Sequence, residues 1–214
     1  MGRRPPGRLE PAPIIAGRHR GRRLEVPPGD AVRPSAERLR EAVFSMLGHG
    51  EPALRDCRFL DLFAGSGAIG LEALSRGAAT SCLVEADRRA AAVTWRNIEK
   101  LDETARARLL VADATRLPPA GEPYAIAYLD PPYGSGLVPA CLTSLVRGGW
   151  LAADALVVVE IAAREALAPP PGFVPLDERR YGAGRIVRLR FAAATDRPRP
   201  RRLTKPKGMP AILG

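Results

Sequence analysis

Histidine is nearly absent. The 214 residues hold only two, His19 and His49, far apart in the chain, so a His-based catalytic triad has little to build on. Cysteine is as sparse. Cys57, Cys82 and Cys141 show no CxxC and no Cys/His ligand spacing. No metal site is therefore expected, and the three thiols read as reduced and buried. No apolar run approaches the ~18 residues of a membrane span. The basic residues 1–8 are not followed by an apolar segment, which argues against a secretory signal. What remains is a cytoplasmic, membrane-free, monomeric protein. Its apolar fraction, 46%, suffices for a full core, and its length suits one domain with a small appendage.

The formal charge of +10 is unevenly spread. Residues 1–40 carry ten arginines against four acids, and residues 196–214 carry six basic residues against one acid. The body between them is close to neutral. Two basic ends on a neutral body point to a polyanion, most simply nucleic acid. Solubilising tails are the bland alternative. They fit the N-terminus less well, because its arginines alternate with structured-looking sequence.

Along the chain, residues 1–12 are rich in Arg, Pro and Gly and read as a disordered basic segment. Residues 13–56 form an extension. It opens with two short β-prone runs around a Gly-bounded turn, a predicted hairpin whose tip carries Arg18, His19, Arg20, Arg22 and Arg23. Such a tip can lie against phosphates. A helix over residues 33–47 follows, with Ser35 as its N-cap and Leu39, Val43, Phe44 and Leu47 on one apolar face. Residues 57–195 then alternate strand and helix. Strands are expected at 59–63, 81–85, 108–113, 124–129 and 155–160. Their near-continuous apolar character says parallel and buried on both faces. Residues 173–181 and 185–191 read as a closing antiparallel pair. The fold class is α/β: a mostly parallel, doubly wound, Rossmann-like sheet with an N-terminal β-hairpin plus helix. Residues 196–214 are a basic tail.

A glycine-rich turn, Gly65-x-Gly67-x-x-Gly70, follows the first strand, and Glu85 stands 20 residues after Gly65. This spacing fits NAD enzymes and S-adenosylmethionine (SAM) enzymes about equally. The acids tip the balance toward SAM. Asp61 precedes the loop, Asp113 ends the third strand and Asp130 ends the fourth. Carboxylates lining the crevice at the strand ends suit a sulfonium better than a pyrophosphate. Any one of them could be an ordinary helix cap; four at successive strand ends are poorly explained that way.

Asp130-Pro131-Pro132-Tyr133 is the stretch with the most chemistry. Each proline fixes φ, and the residue before a proline is pushed to an extended conformation. The Asp130 carboxylate, the Pro131 carbonyl and the Tyr133 ring are thus held in fixed relation. That set suits a planar base with an exocyclic amine: two acceptors for its N–H groups and a ring face to hold it flat. A rigid turn with a capping Asp is the structural alternative. The same motif serves an adenine N6 amine in DNA or RNA. An NAD-dependent oxidoreductase leaves the motif and the basic ends unexplained, and a non-catalytic RNA-binding module leaves the acids and glycines so.

In this order, the segment from Asp61 to Arg76, the run from Arg33 to Glu41, Asp130–Tyr133 and Gly148-Gly149-Trp150-Leu151 resemble the RsmD family, bacterial methyltransferases of guanine N2 in 16S ribosomal RNA. The resemblance covers roughly residues 13–191. It implies a class I SAM-dependent fold, SAM contacts from Gly65, Ser66 and Gly67, Glu85 on ribose and Asp113 near adenine. It also implies a target-base site at Asp130, Pro131, Pro132 and Tyr133, and closure over the methionine end by Arg33 and Ser35. Ala36 departs from a hydroxyl residue common at that place. The full cofactor set is then Arg33, Ser35, Asp61, Ala64, Gly65, Ser66, Gly67, Glu85, Asp113, Ala114 and Asp130. The implied partner is 16S ribosomal RNA, the small subunit or its assembly intermediate.

Overall fold

The computed structural model describes residues 13–27, 34–48 and 50–192, with the side chains of residues 34–36 excepted. The basic segment 1–12, Arg33, the Ser35 side chain and the tail 196–214 therefore lie outside the described residues.

Among the described residues, seven strands and four helices alternate as expected for a doubly wound sheet. The helix α1 (Pro34–Leu47) leads into β1 (Arg58–Leu62), α2 (Ala68–Ser75), β2 (Thr80–Glu85), α3 (Arg88–Lys100) and β3 (Ala107–Val111). Then come a single 3₁₀ turn (Ala114–Arg116), β4 (Tyr124–Leu129), α4 (Val138–Arg147), β5 (Leu151–Ala162), β6 (Phe173–Tyr181) and β7 (Gly184–Phe191). The sheet order is β3-β2-β1-β4-β5-β7-β6. Strands β1 to β5 are parallel, and β7 runs antiparallel to β5 and to β6. The fold is Rossmann-like. None of the helices among the described residues is long and apolar enough to cross a membrane.

Both sheet faces are covered, which is why the strands read as apolar runs. Leu60, Leu62, Ala127 and Val157 pack against Cys141, Leu142 and Leu145 of α4. Phe59, Tyr128 and Val158 face Val43, Phe44 and Leu47 of α1. A third cluster joins Leu71 and Leu74 of α2 to Ile98 of α3, and it takes in Ile14 and Leu24 of the N-terminal segment. The extension thus contributes to the core. All three cysteines are buried free thiols. Burial pushes those of Cys57 and Cys141 up to about 12.

Four local expectations change. The N-terminal hairpin reduces to one antiparallel bridge, Pro13↔Arg23, closed by hydrogen bonds between Ile14 and Arg22 and between Gly21 and Ile14. A two-strand ribbon needs more pairs than that tight Gly-bounded loop leaves. The helix α1 begins at Pro34; proline is well suited to a first helical turn, so Ser35 lies inside the helix and is not its cap. Strand β3 stops at Val111, two residues short of Asp113. Strand β5 starts at Leu151 and not near 155, because Leu151 pairs with Tyr124 before a register shift.

Candidate active site

The sheet reverses its winding between β1 and β4, which are neighbours paired as Asp61↔Tyr128 and Leu62↔Leu129. In open α/β sheets this switch point opens the ligand crevice at the carboxyl ends of the strands. Asp61, Glu85 and Asp130 all come to it.

The loop after β1 is held in an uncommon backbone path. Phe63 has φ +68°, Gly65 +56° and Gly67 +81°. A bulky residue at positive φ is strained. A Cβ added at Gly65 would meet nothing within 4 Å, so space opens above the loop, whereas one at Gly70 would come within 2.8 Å of the Ser81 hydroxyl oxygen. Gly70 is there for close packing of α2 on β2. Asp61 is fully buried and accepts the Gly70 N–H at 2.9 Å, satisfying a donor that the first turn of α2 would otherwise leave orphaned. Burial pushes the Asp61 carboxyl up to about 7; the Gly70 bond opposes this and Glu85 adds to it.

Glu85 ends β2 and spends both oxygens on backbone. Oε2 accepts from Gly65 at 2.8 Å and Oε1 from Asp87 at 2.8 Å. Each oxygen keeps a second lone pair, so the expected ribose contact is compatible with this anchoring. Two residues of α3 complete the loop's support. The Thr94 hydroxyl donates to the Gly65 carbonyl at 2.6 Å, and the Asn97 amide to the Ser66 carbonyl at 2.9 Å. Asn97 also exchanges hydrogen bonds with the Glu25 backbone, joining the N-terminal segment to the loop. Ala64 is buried beneath the loop, its N–H on the Val84 carbonyl.

Asp113 lies past the end of β3, exposed, and caps the 3₁₀ turn. Its Oδ1 accepts from the Thr115 N–H and hydroxyl, both at 2.8 Å. These bonds, the backbone one foremost, hold its carboxyl below the usual range. Ala114 next to it is buried in the core.

Asp130 follows β4. One side of it opens to solvent while the carboxyl itself is crowded by protein. That crowding, then Glu160, then Asp61, holds it well above the ordinary carboxylate range. Among the described residues, the charges acting on Asp61 and Asp130 are those of other acids, which suits the crevice to a cation. Pro131 is buried, while Pro132 and Tyr133 are exposed. The Tyr133 hydroxyl donates to Glu160 at 2.8 Å, and the Gly134 N–H to Glu165 at 2.9 Å. Two surface cavities, of ≈ 490 and ≈ 470 Å³, lie elsewhere, along β6–β7 and beside Trp95.

The N-terminal arginines divide. Arg18, itself still exposed, and His19 reach the buried carboxylate of Glu103, which Arg106 also holds. Burial acts to raise that carboxyl, and the bonds from Arg106, His19 and Arg18 outweigh it. The His19 side chain is only 11% exposed and sits against Glu103. Arg20, Arg22 and Arg23 are exposed, Arg22 resting on the Lys100 carbonyl at 2.6 Å. The loop is pinned further by Glu72, which accepts from the Ile15 and Ala16 amides at 2.7 and 2.9 Å, and by Ser75. The sequence does not single out Glu72, Asn97, Glu103 or Glu160. Glu72 and Glu160 do carry a signal, an acid in an otherwise apolar stretch, whereas Asn97 and Glu103 stand among charged residues and carry none.

Residues 12–190 match the model of the family described as "Conserved hypothetical protein 95". The Ribosomal RNA small subunit methyltransferase D of Escherichia coli (strain K12) is 40% identical over 159 residues, 74% of this chain and 78% of that protein. The protein of the same name from Haemophilus influenzae is 31% identical over 173 residues, 79% and 88% of the two chains. The solved structure of yhhF from Escherichia coli matches with a TM-score of 0.74 at 36% identity, covering 86% of this chain and 99% of that one.

Proposed function

The chain belongs to the RsmD family, and on that premise we propose that it transfers the methyl group of SAM to the exocyclic N2 amine of a guanine in 16S ribosomal RNA. The observation that carries this reading is the placement of Asp130–Tyr133 at the end of β4, directly across the switch point from the glycine loop of β1. An acceptor-base site and a cofactor site then share one crevice.

The residues present fit the cofactor. The open face of Gly65, the Glu85 carboxylate and the acids Asp61 and Asp130 would hold a ligand with ribose hydroxyls and a positive charge. Bound there, SAM supplies an electrophilic methyl group on a sulfonium. Positive charge entering the crevice favours the ionised forms of Asp61 and Asp130, which their surroundings otherwise disfavour.

A guanine N2 lone pair is delocalised into the ring. Asp130 and the Pro131 carbonyl accept its two N–H bonds and favour the pyramidal amine, and the Tyr133 face keeps the base flat. As the nitrogen becomes cationic, Asp130 stabilises that charge, a contact stronger in the transition state than before it. A carboxyl held above its ordinary range is also the better holder of the proton the amine then releases. The exposed Arg20, Arg22 and Arg23 lie where a phosphate backbone could approach.

The test uses isotopically labelled SAM with 16S RNA, free and in small subunits, followed by nucleoside analysis. N2-methylguanosine is expected. N6-methyladenosine would favour the adenine reading, and no labelled nucleoside with either substrate would overturn the proposal.

A further inference from the structure

Glu160 lies in β5, inside the apolar run Val157-Val158-Val159-Glu160-Ile161, and is buried. An unpaired buried carboxylate is costly, so it requires donors. It has two, both phenols. Tyr128 of β4 donates to Oε2 at 2.7 Å, and Tyr133 donates to Oε1 at 2.8 Å. Tyr128 is itself buried, but Tyr133 is 49% exposed. Tyr133 is thus half exposed while its hydroxyl is tied down.

Gly184, the first residue of β7, completes the arrangement. It pairs with Ala162 of β5 and Tyr181 of β6. A Cβ placed on it would lie 2.7 Å from the Tyr133 oxygen, 3.7 Å from the ring carbon bearing that oxygen and 3.8 Å from Oε1 of Glu160. Its φ is one an alanine can adopt, so glycine serves here as space for the phenol and not as a turn.

We infer that Glu160 is a positioning residue for the methyl-transfer reaction: with the gap at Gly184 it forms a seat for the Tyr133 hydroxyl and so fixes the plane on which the acceptor base stacks. The inference rests on the reading of Tyr133 as that stacking surface. A loop staple alone would also account for one hydrogen bond. It would not require that the space beside the phenol be kept free of a Cβ, nor that so exposed a residue anchor its hydroxyl on a buried carboxylate. The Tyr133 ring is then pre-organised, and no binding energy is spent on ordering it when the base arrives.

The experiment measures single-turnover methylation of 16S RNA, SAM affinity and melting temperature for Gly184→Ala and Glu160→Gln, each alone and with Tyr133→Phe. Gly184→Ala displaces the phenol, and Glu160→Gln weakens its acceptor. Each should slow methylation about tenfold, and Gly184→Ala, which leaves the charges of the crevice as they are, should do so with SAM affinity unchanged. In the Tyr133→Phe background, where the oxygen is already gone, each should add less than about twofold. If either slows the reaction equally in both backgrounds, or in neither, the seat is overturned. Tyr133→Phe alone should already cost several-fold; a wild-type rate there overturns it too, even if Gly184→Ala fails to fold. Tyr133→Ala separates the two claims. A near wild-type rate for that variant removes the stacking reading itself, whereas a severe loss with additive cycles removes only the seat.

Discussion

The Gly65 amide donates to Oε2 of Glu85 at 2.8 Å, so the residue expected to hold the cofactor ribose also holds the loop that lies beneath it. The companion bond from Asp87 fixes the other oxygen. Glu85→Ala therefore removes a ligand contact and an anchor together. Charge-assisted bonds of this kind contribute ~1.5–3 kcal/mol, which predicts a loss of SAM affinity of about tenfold or more. The melting temperature should fall as well. RNA binding without cofactor should be unchanged. Calorimetry giving wild-type SAM affinity would remove Glu85 from the site.

The Asp61 carboxyl, pushed up to about 7 by burial, makes stability depend on pH in a stated direction. In the unfolded chain it titrates near ~3.9. Between these values the folded state holds the extra proton, so the contribution of Asp61 to the stability of the ligand-free protein is lost as pH rises from about 4 to about 7. Asp61→Asn keeps an acceptor for the Gly70 N–H and does not titrate, so it should flatten this slope. Thermal melts across that range decide the matter; an equal slope in both proteins would assign the titration to another group.

RNA affinity should depend on Arg20, Arg22 and Arg23 and hardly on His19. Neutralising the three arginines should lower affinity for unrelated RNAs alike and reduce the salt slope by roughly 0.7–0.9 per lost contact, with SAM binding intact. Arg18→Ala and His19→Ala remove donors from buried Glu103, so they should lower the melting temperature more than the affinity. Binding titrations at several salt concentrations test both halves. An unchanged slope in the triple variant would assign the basic N-terminus another purpose.

The strands, their order of use and the acids at their ends were legible because the signals are local. An apolar run followed by a glycine turn and an acid says strand, loop and crevice wherever it occurs. What was not legible depends on pairs distant in sequence. Glu103 explains Arg18 and His19 only once β3 and the N-terminal loop are side by side, 84 residues or more apart in the chain. Tyr133 reads from sequence as a stacking ring whose hydroxyl is spare, which would make Tyr133→Phe mild. Its bond to Glu160, 27 residues on, gives the hydroxyl a task. Asp113 went the other way: a strand-end acid by position, it is a local cap whose expected adenine contact must use the oxygen that Thr115 leaves.

Asp130 should act on the amine itself. A guanine N2 amine is far too weak an acid to be deprotonated by a carboxylate before the reaction, so the proton leaves only as the nitrogen becomes cationic. Asp130 then faces a developing positive charge at close range, in a crevice where its described neighbours Glu160 and Asp61 are also acids. Losing a preorganised partner of that charge costs ~10²–10³ in rate, so Asp130→Ala should fall by that factor, a loss well beyond any it causes in SAM affinity. Asp130→Asn keeps an acceptor oxygen without the charge and should lie between the two. The raised carboxyl adds a pH signature. Below its range the wild-type rate should fall as Asp130 takes up a proton, and this acid limb should vanish in Asp130→Asn. Single-turnover rates on 16S RNA over a pH series measure all three effects, and an Asp130→Ala protein working near the wild-type rate would remove Asp130 from the chemistry.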